Sequence, residues 1–257
     1  MRTVSIGNRG GSAGKTTTAV TLAALAGQAG HRVLLVDADS QANATSWVGV
    51  TPDLNRTIGP VLLRQLDPSE AITETATPGV WLLPSCAGLA GQVKILHGEA
   101  LPELRLDAAL KKIRDGFDLV LIDSGSDQML TLSSLVAADR VVTVTKPGRK
   151  EMAGVPEFRL LVEEVAAGFG RDLHLGAVVP CMVPPPNAGE LYRESVAAML
   201  TSSWAGLVTP TVRRTVRVDE AFAGSQPLPV MFPREAVTAD YRSVADYLAQ
   251  AGILPEL

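Results

Sequence analysis

The sequence predicts an α/β fold in which a mainly parallel sheet is covered by helices on both faces. Two observations predict it. Short, continuously apolar runs alternate with longer segments of helical periodicity. Strands that are apolar on both sides need a helical layer against each face, and parallel neighbours need a crossover between them. Between the first run and the first helical segment stands a glycine-rich turn, GNRGGSAGKTTT, from Gly7 to Thr18. In open sheets of this kind ligands gather beyond the carboxyl ends of the strands, where that turn lies.

Taken in order, TVSIG (3–7) reads as the first strand and Lys15 to Ala29 as the first helix. RVLLVDAD (32–39) then closes a second strand on two acids. Further runs at VWLLPS (80–85), FDLVLIDS (117–124), RVVTVTK (140–146) and LHLGAVV (173–179) read as strands. Helical segments are expected near 103–115, 154–168, 188–200 and 235–250. The proline-rich VPPPNAGE (183–190) reads as a loop and not as a domain linker, so a single domain over 1–257 is expected.

Composition narrows the function classes. Of 257 residues 46% are hydrophobic, enough to fill a core without disulfide or metal staples. Cys86 and Cys181 form no C-x-x-C pair, which leaves two buried, reduced thiols as the expectation. No run approaches the ~18–20 apolar residues of a membrane span, and MRTVSIGN lacks a signal-peptide pattern, so a cytoplasmic protein is expected. The tail ADYLAQAGILPEL carries no lysine or arginine, which removes a basic amphipathic membrane anchor from the expectations. A net charge of −4 opposes general attraction to nucleic acid, so any such contact must come from a local basic patch.

The glycine-rich turn supplies chemistry. Strand, turn, then Gly-Lys-Thr opening a helix is the setting of a phosphate loop. Backbone N–H groups of Gly10, Gly11, Ser12, Ala13, Gly14, Lys15, Thr16 and Thr17 would face a β-phosphate at the positive end of the helix dipole. Lys15 would reach the β- and γ-phosphates, and the Thr16 hydroxyl would ligate Mg²⁺. The spacing is a variant, because Arg9 stands where the strict motif has its first glycine. FDLVLIDS delivers Asp123 at a strand end, placed to reach the metal through a water. At the end of the second strand, either Asp37 or Asp39 could orient the attacking water or hold the outer shell of the metal.

These stretches resemble the ParA/MinD family of deviant Walker-A ATPases, in particular the short, Soj-like ParA proteins. The likeness runs from Asn8 to Thr18 and from Val33 to Thr45, then through LLPSCAGLAG (82–91), FDLVLID with LSSLVAAD (132–139), and TVRRTVRVDEAFAGSQPL (211–228). The resemblance implies an ATP-dependent sandwich homodimer that binds DNA without sequence preference. It implies slow, Mg²⁺-dependent ATP hydrolysis stimulated by a ParB-like or other cargo adaptor, with nucleoid association in the ATP-bound state. Lys15 and Asp39 are then catalytic, Asp39 acting on the water, and Thr16, Asp39 and Asp123 serve the metal.

The departures are equally specific. The family's signature lysine, which crosses to the partner's nucleotide, falls on Gly10 here, Ser12 replaces a glycine, and Ser-Gly-Ser follows Asp123. Cations placed against developing charge carry much of phosphoryl-transfer catalysis. A substitute is therefore expected from Arg9 or from TKPGRKEMAG, with Lys146, Arg149 and Lys150; Lys150 acting across the dimer is the expectation. Between Arg193 and Arg217 four arginines (193, 213, 214 and 217) face one acid, Glu194. By resemblance Arg217 is the main DNA contact; the charge cluster adds Arg193 and Arg214. Nucleotide-side packing is the alternative for Arg213 and Arg214, since the family often has a proline near the adenine where Arg213 stands. Plasmid or chromosome partition is the leading expectation. Carboxysome-type compartment positioning, a metabolic ATP-dependent enzyme on the same fold, and a switch with little hydrolysis are the alternatives.

Overall fold

The computed structural model describes residues 1–10, 14–184 and 189–257, and the side chains there except at 149, 191, 192 and 195. The chain begins β1 (Arg2–Gly7), α1 (Lys15–Gln28), β2 (Val33–Ala38), α2 (Asn43–Trp47), α3 (Ile58–Leu62) and α4 (Pro68–Ala71). It continues β3 (Thr73–Glu74), β4 (Val80–Leu83), α5 (Leu89–Leu96), α6 (Arg105–Lys112), β5 (Leu119–Ser124), α7 (Gln128–Ala137) and β6 (Arg140–Thr145). It closes with α8 (Arg149–Phe169), β7 (Leu175–Pro180), α9 (Glu190–Leu200), α10 (Arg217–Ala223), α11 (Leu228–Met231) and α12 (Ala236–Gln250).

Among the described residues seven strands form one sheet in the order β3-β4-β2-β5-β1-β6-β7. All neighbours are parallel except β3, which pairs antiparallel with β4. β2 and β5 are buried along their whole length, which explains why their sequences are continuous apolar runs and do not alternate with polar residues. Alternate side chains serve opposite layers. Leu35 and Leu121 pack with α1 and α12, whereas Leu34 and Val120 pack with α3, α5 and α6. A third cluster joins α7 to α8 through Leu135, Phe158 and Val162.

The expected strands all form. The helices differ in instructive ways. α8 starts at Arg149, five residues before the expected 154, and runs through Pro156. Pro156 interrupts the hydrogen-bond ladder, and burial of Val155, Phe158 and Val162 holds the helix together across it. The segment 103–115 contracts to α6 between two short 3-10 turns, Pro102–Leu104 and Arg114–Gly116. α7 had no expected counterpart. Its start is fixed by Asp127, whose carboxylate accepts from Leu130 N at 3.0 Å.

Candidate active site

Every strand that the sequence marked with a polar end delivers it to one edge of the sheet. β1 leads into Asn8 and the glycine-rich loop, of which Gly11, Ser12 and Ala13 lie outside the described residues. Gly14 ends the loop at φ +96°, and a Cβ there would meet Cys181 Cβ at 3.2 Å and Sγ at 3.3 Å. Both the left-handed backbone and the thiol beneath it demand glycine. The first turn of α1 contains no acid and no capping side chain, so its backbone donors are left for a ligand. Lys15 Nζ donates to Asn8 Oδ1 at 2.7 Å and to the Gly10 carbonyl at 3.1 Å. Burial pulls the Lys15 pKa down, while the carboxylates of Asp123 and Asp39 pull it up.

Three aspartates meet here with different partners. Asp37 is fully buried and accepts from Thr45 N at 2.8 Å, Thr45 Oγ1 at 2.7 Å and Asp39 N at 3.2 Å. Burial raises its pKa to about 6 despite those donors. It fastens α2 to the sheet. Asp123 lies opposite both Ile6 and Asp37 in the strand register, and neither of its buried oxygens has a hydrogen-bond partner among the described residues. Burial, then repulsion from Asp37, raises it to about 7, against the opposing pull of the Thr16 hydroxyl and Lys15. Asp39 is half-buried, its carboxylate accepting from Gln41 N at 3.0 Å and its carbonyl from Ser85 Oγ at 2.6 Å. It packs on Gly125, where a Cβ would approach its Cγ to 2.6 Å. The glycine two residues after Asp123 is thus the seat of Asp39.

An orphaned buried carboxylate beside a threonine hydroxyl and a half-buried lysine fits a divalent cation bound with a phosphate chain. Among the described residues no three His, Cys, Asp or Glu side chains cluster as a metal cage. A cleft of about 460 Å³ opens over this group, lined by Gly14 to Thr17, Asp39, Gln41, Asn43, Trp47, Ser126, Met182, Val218, Asp219 and Phe222. Sequence reasoning missed Trp47, Met182 and Phe222, which are scattered over 175 positions and share no local motif.

On the other side of the loop a second cavity of about 500 Å³ is bounded by Asn8, Arg9, Gly10, Thr143, Lys150, Glu151, Gly154 and Glu157, among others. Lys146 Nζ is paired with Glu151 Oε1 at 3.2 Å. Lys150 is exposed, with no ion pair among the described residues, and the side chain of Arg149 lies outside them. Among the described residues nothing lies within 4 Å of a Cβ built on Gly10, so crowding by them does not explain the glycine there.

The four arginines are not equivalent. Arg193 and Arg214 are exposed and unpaired among the described residues. Arg213 forms a two-pronged pair with Asp240 at 2.6 and 2.8 Å. Arg217 pairs with Glu220 at 2.7 Å and Glu235 at 3.4 Å and lies over the Phe232 ring at 5.1 Å.

Comparison with known proteins agrees with this geometry. A family model described as an AAA domain matches residues 1–175. The chromosome-partitioning ATPase Soj of Thermus thermophilus is 34% identical over 249 residues, 96% of this chain and 94% of that protein. Among solved structures, apo McdA from Cyanothece superposes with a TM-score of 0.88 at 23% identity, over 96% of this chain and 99% of that one. A cobyrinic acid a,c-diamide synthase from Mycobacterium smegmatis, with bound ATP analogue and magnesium, gives a TM-score of 0.82 at 28% identity over 97% and 94%. The loop, the strand-end carboxylates and these full-length likenesses place the chain in the ParA/MinD family of P-loop ATPases.

Proposed function

We propose that residues 1–257 act as one Mg²⁺-dependent ATPase that closes on ATP into a sandwich homodimer, binds DNA without sequence preference and positions cargo, as in plasmid or chromosome partition. The observation that carries the reading is the buried carboxylate of Asp123, unpartnered among the described residues, beside Thr16 and Lys15, which line a cleft together with Asp39. Mg²⁺, when bound, supplies positive charge against the β- and γ-phosphate oxygens. Thr16 and Asp123 would hold it, Asp123 through water. Lys15, now resting on Asn8 and Gly10, would exchange those oxygens for phosphate. Asp39, the aspartate of its pair that borders the cleft, would orient the attacking water. Lys150 would act across the dimer in place of a lysine at position 10, since Glu151 already engages Lys146.

Exposed Arg193 and Arg214 support a phosphate-backbone contact, and Arg217 would have to leave Glu220 and Glu235 to join them. Sizing and duplex-DNA binding with ADP, ATP and a non-hydrolysable analogue test the reading. A triphosphate-dependent dimer with salt-sensitive DNA affinity is expected; a monomer at saturating analogue and Mg²⁺ would refute it. In Asp39→Ala the dimer should persist with ATP, and rapid turnover by that variant would transfer the role to Asp37.

Compartment positioning by the same chemistry is the second reading, favoured by the glycine at position 10 and the exposed Lys150, which has no ion pair among the described residues. The two readings differ in the adaptor, so capture of a DNA-binding adaptor or of a compartment adaptor by the ATP-bound dimer separates them.

A further inference from the structure

Trp47 stands where the two walls of the cleft touch. It closes α2, a helix of five residues, and is only 4% exposed. The other end of α2 is tied to the strand-end aspartates. Asp37 grips Thr45, and Ala42, held at φ 52°, donates its N–H to the Asp39 carbonyl at 3.0 Å. A non-glycine residue held in the left-handed region is strained, and such strain persists where the surroundings impose it. At its far end Trp47 meets Phe222 edge-on, with ring centroids 5.2 Å apart and planes at 75°. Its Nε1 donates to the Gln226 carbonyl at 3.0 Å.

Phe222 belongs to α10, whose first residue is Arg217. Both walls border the cleft: Gln41 and Asn43 from the α2 side, Asp219 and Phe222 from α10. A ligand filling the cleft therefore touches both walls, and the Trp47–Phe222 contact with the Gln226 hydrogen bond is where they meet. Packed interfaces of this kind shift between discrete arrangements and do not deform continuously.

We propose that Trp47 is a positioning residue that transmits occupancy of the cleft to α10 and so sets whether Arg217, with its helix neighbour Glu220, stays against Glu235 and Phe232 or swings free. Only the last step, delivery of Arg217 to DNA, rests on the function proposed above.

The test reads amide hydrogen exchange across Arg217–Ala223, and affinity for a fluorescent DNA duplex, in the full chain at saturating ADP or saturating non-hydrolysable ATP analogue. Saturation keeps any loss of nucleotide affinity out of the comparison. Wild type, Phe222→Ala and Trp47→Phe are compared. Phe222 is 40% exposed, so truncating it spares the core, and Trp47→Phe keeps a ring while losing the N–H donor. Exchange across α10 should differ between the two nucleotides in wild type. That difference should fall roughly fivefold or more in Phe222→Ala and be partly restored in Trp47→Phe. An α10 that ignores the nucleotide in wild type, or responds equally in Phe222→Ala, overturns the proposal. If α10 responds through Trp47 while DNA affinity ignores the nucleotide, the relay stands and the DNA-binding reading falls.

Discussion

Asp123 and Asp37 make the site sensitive to pH in a direction opposite to that of a surface carboxylate. Their folded-state pKa values, about 7 and about 6, stand above the ordinary 3.8 because burial penalises the charge. Between pH 4 and 7 the folded chain therefore holds protons that the unfolded chain has released, and stability falls as pH rises through that window. Thermal melts of the ligand-free protein should show a lower Tm at pH 8 than at pH 5. Asp123→Asn should flatten this slope and stabilise the ligand-free protein at pH 8 by about 1–3 kcal/mol, while removing Mg²⁺-dependent nucleotide binding. Gly10 yields a second residue-scale test. With open space at its Cβ, Gly10→Lys should change stability by less than about 0.5 kcal/mol. Lys150→Ala should abolish ATP-dependent dimerisation, and Gly10→Lys should rescue it in the double variant; light scattering with the analogue reads both. These residues were legible in sequence only in part. The loop and Asp123 announce themselves by local spacing, whereas the seat of Asp39 on Gly125 joins residues that adjoin only across paired strands.

Among the elements, α8 carries an internal contradiction. Pro156 removes a donor that would otherwise meet the Met152 carbonyl, and its ring crowds the preceding turn, an arrangement that costs about 3 kcal/mol in a regular helix. Pro156→Ala should raise stability by about 1–3 kcal/mol in denaturant melts, and it should alter the pose of the first turn, which bears Lys150. A gain in stability with a loss of dimerisation would separate the two consequences. The strands were readable because β2, β5, β6 and their neighbours are buried on both faces, which turns them into uninterrupted apolar runs. The short helices were not. α2, α10 and α11 span four to seven residues, too few for a helical period to register, and they exist because tertiary partners such as Asp37 and Trp47 hold them.

Across the whole molecule, the parallel order brings chemistry from distant parts of the chain to one rim, and this convergence is what sequence alone conveyed least. The residue packed against Gly14 comes from the sheet's far edge, where the last residue of β7, Pro180, is followed by Cys181. Its sulfur sits against Gly14, near the Thr18 hydroxyl at 3.7 Å, and burial pushes the thiol up to about 11. A thiol so shielded reacts only when the start of α1, at Gly14 and Thr18, moves off it, which makes Cys181 a chemical stopwatch for that movement. Alkylation of Cys181, timed by mass spectrometry against Cys86 as the internal reference, should slow when a triphosphate occupies the cleft against the start of α1 and quicken when the cleft empties.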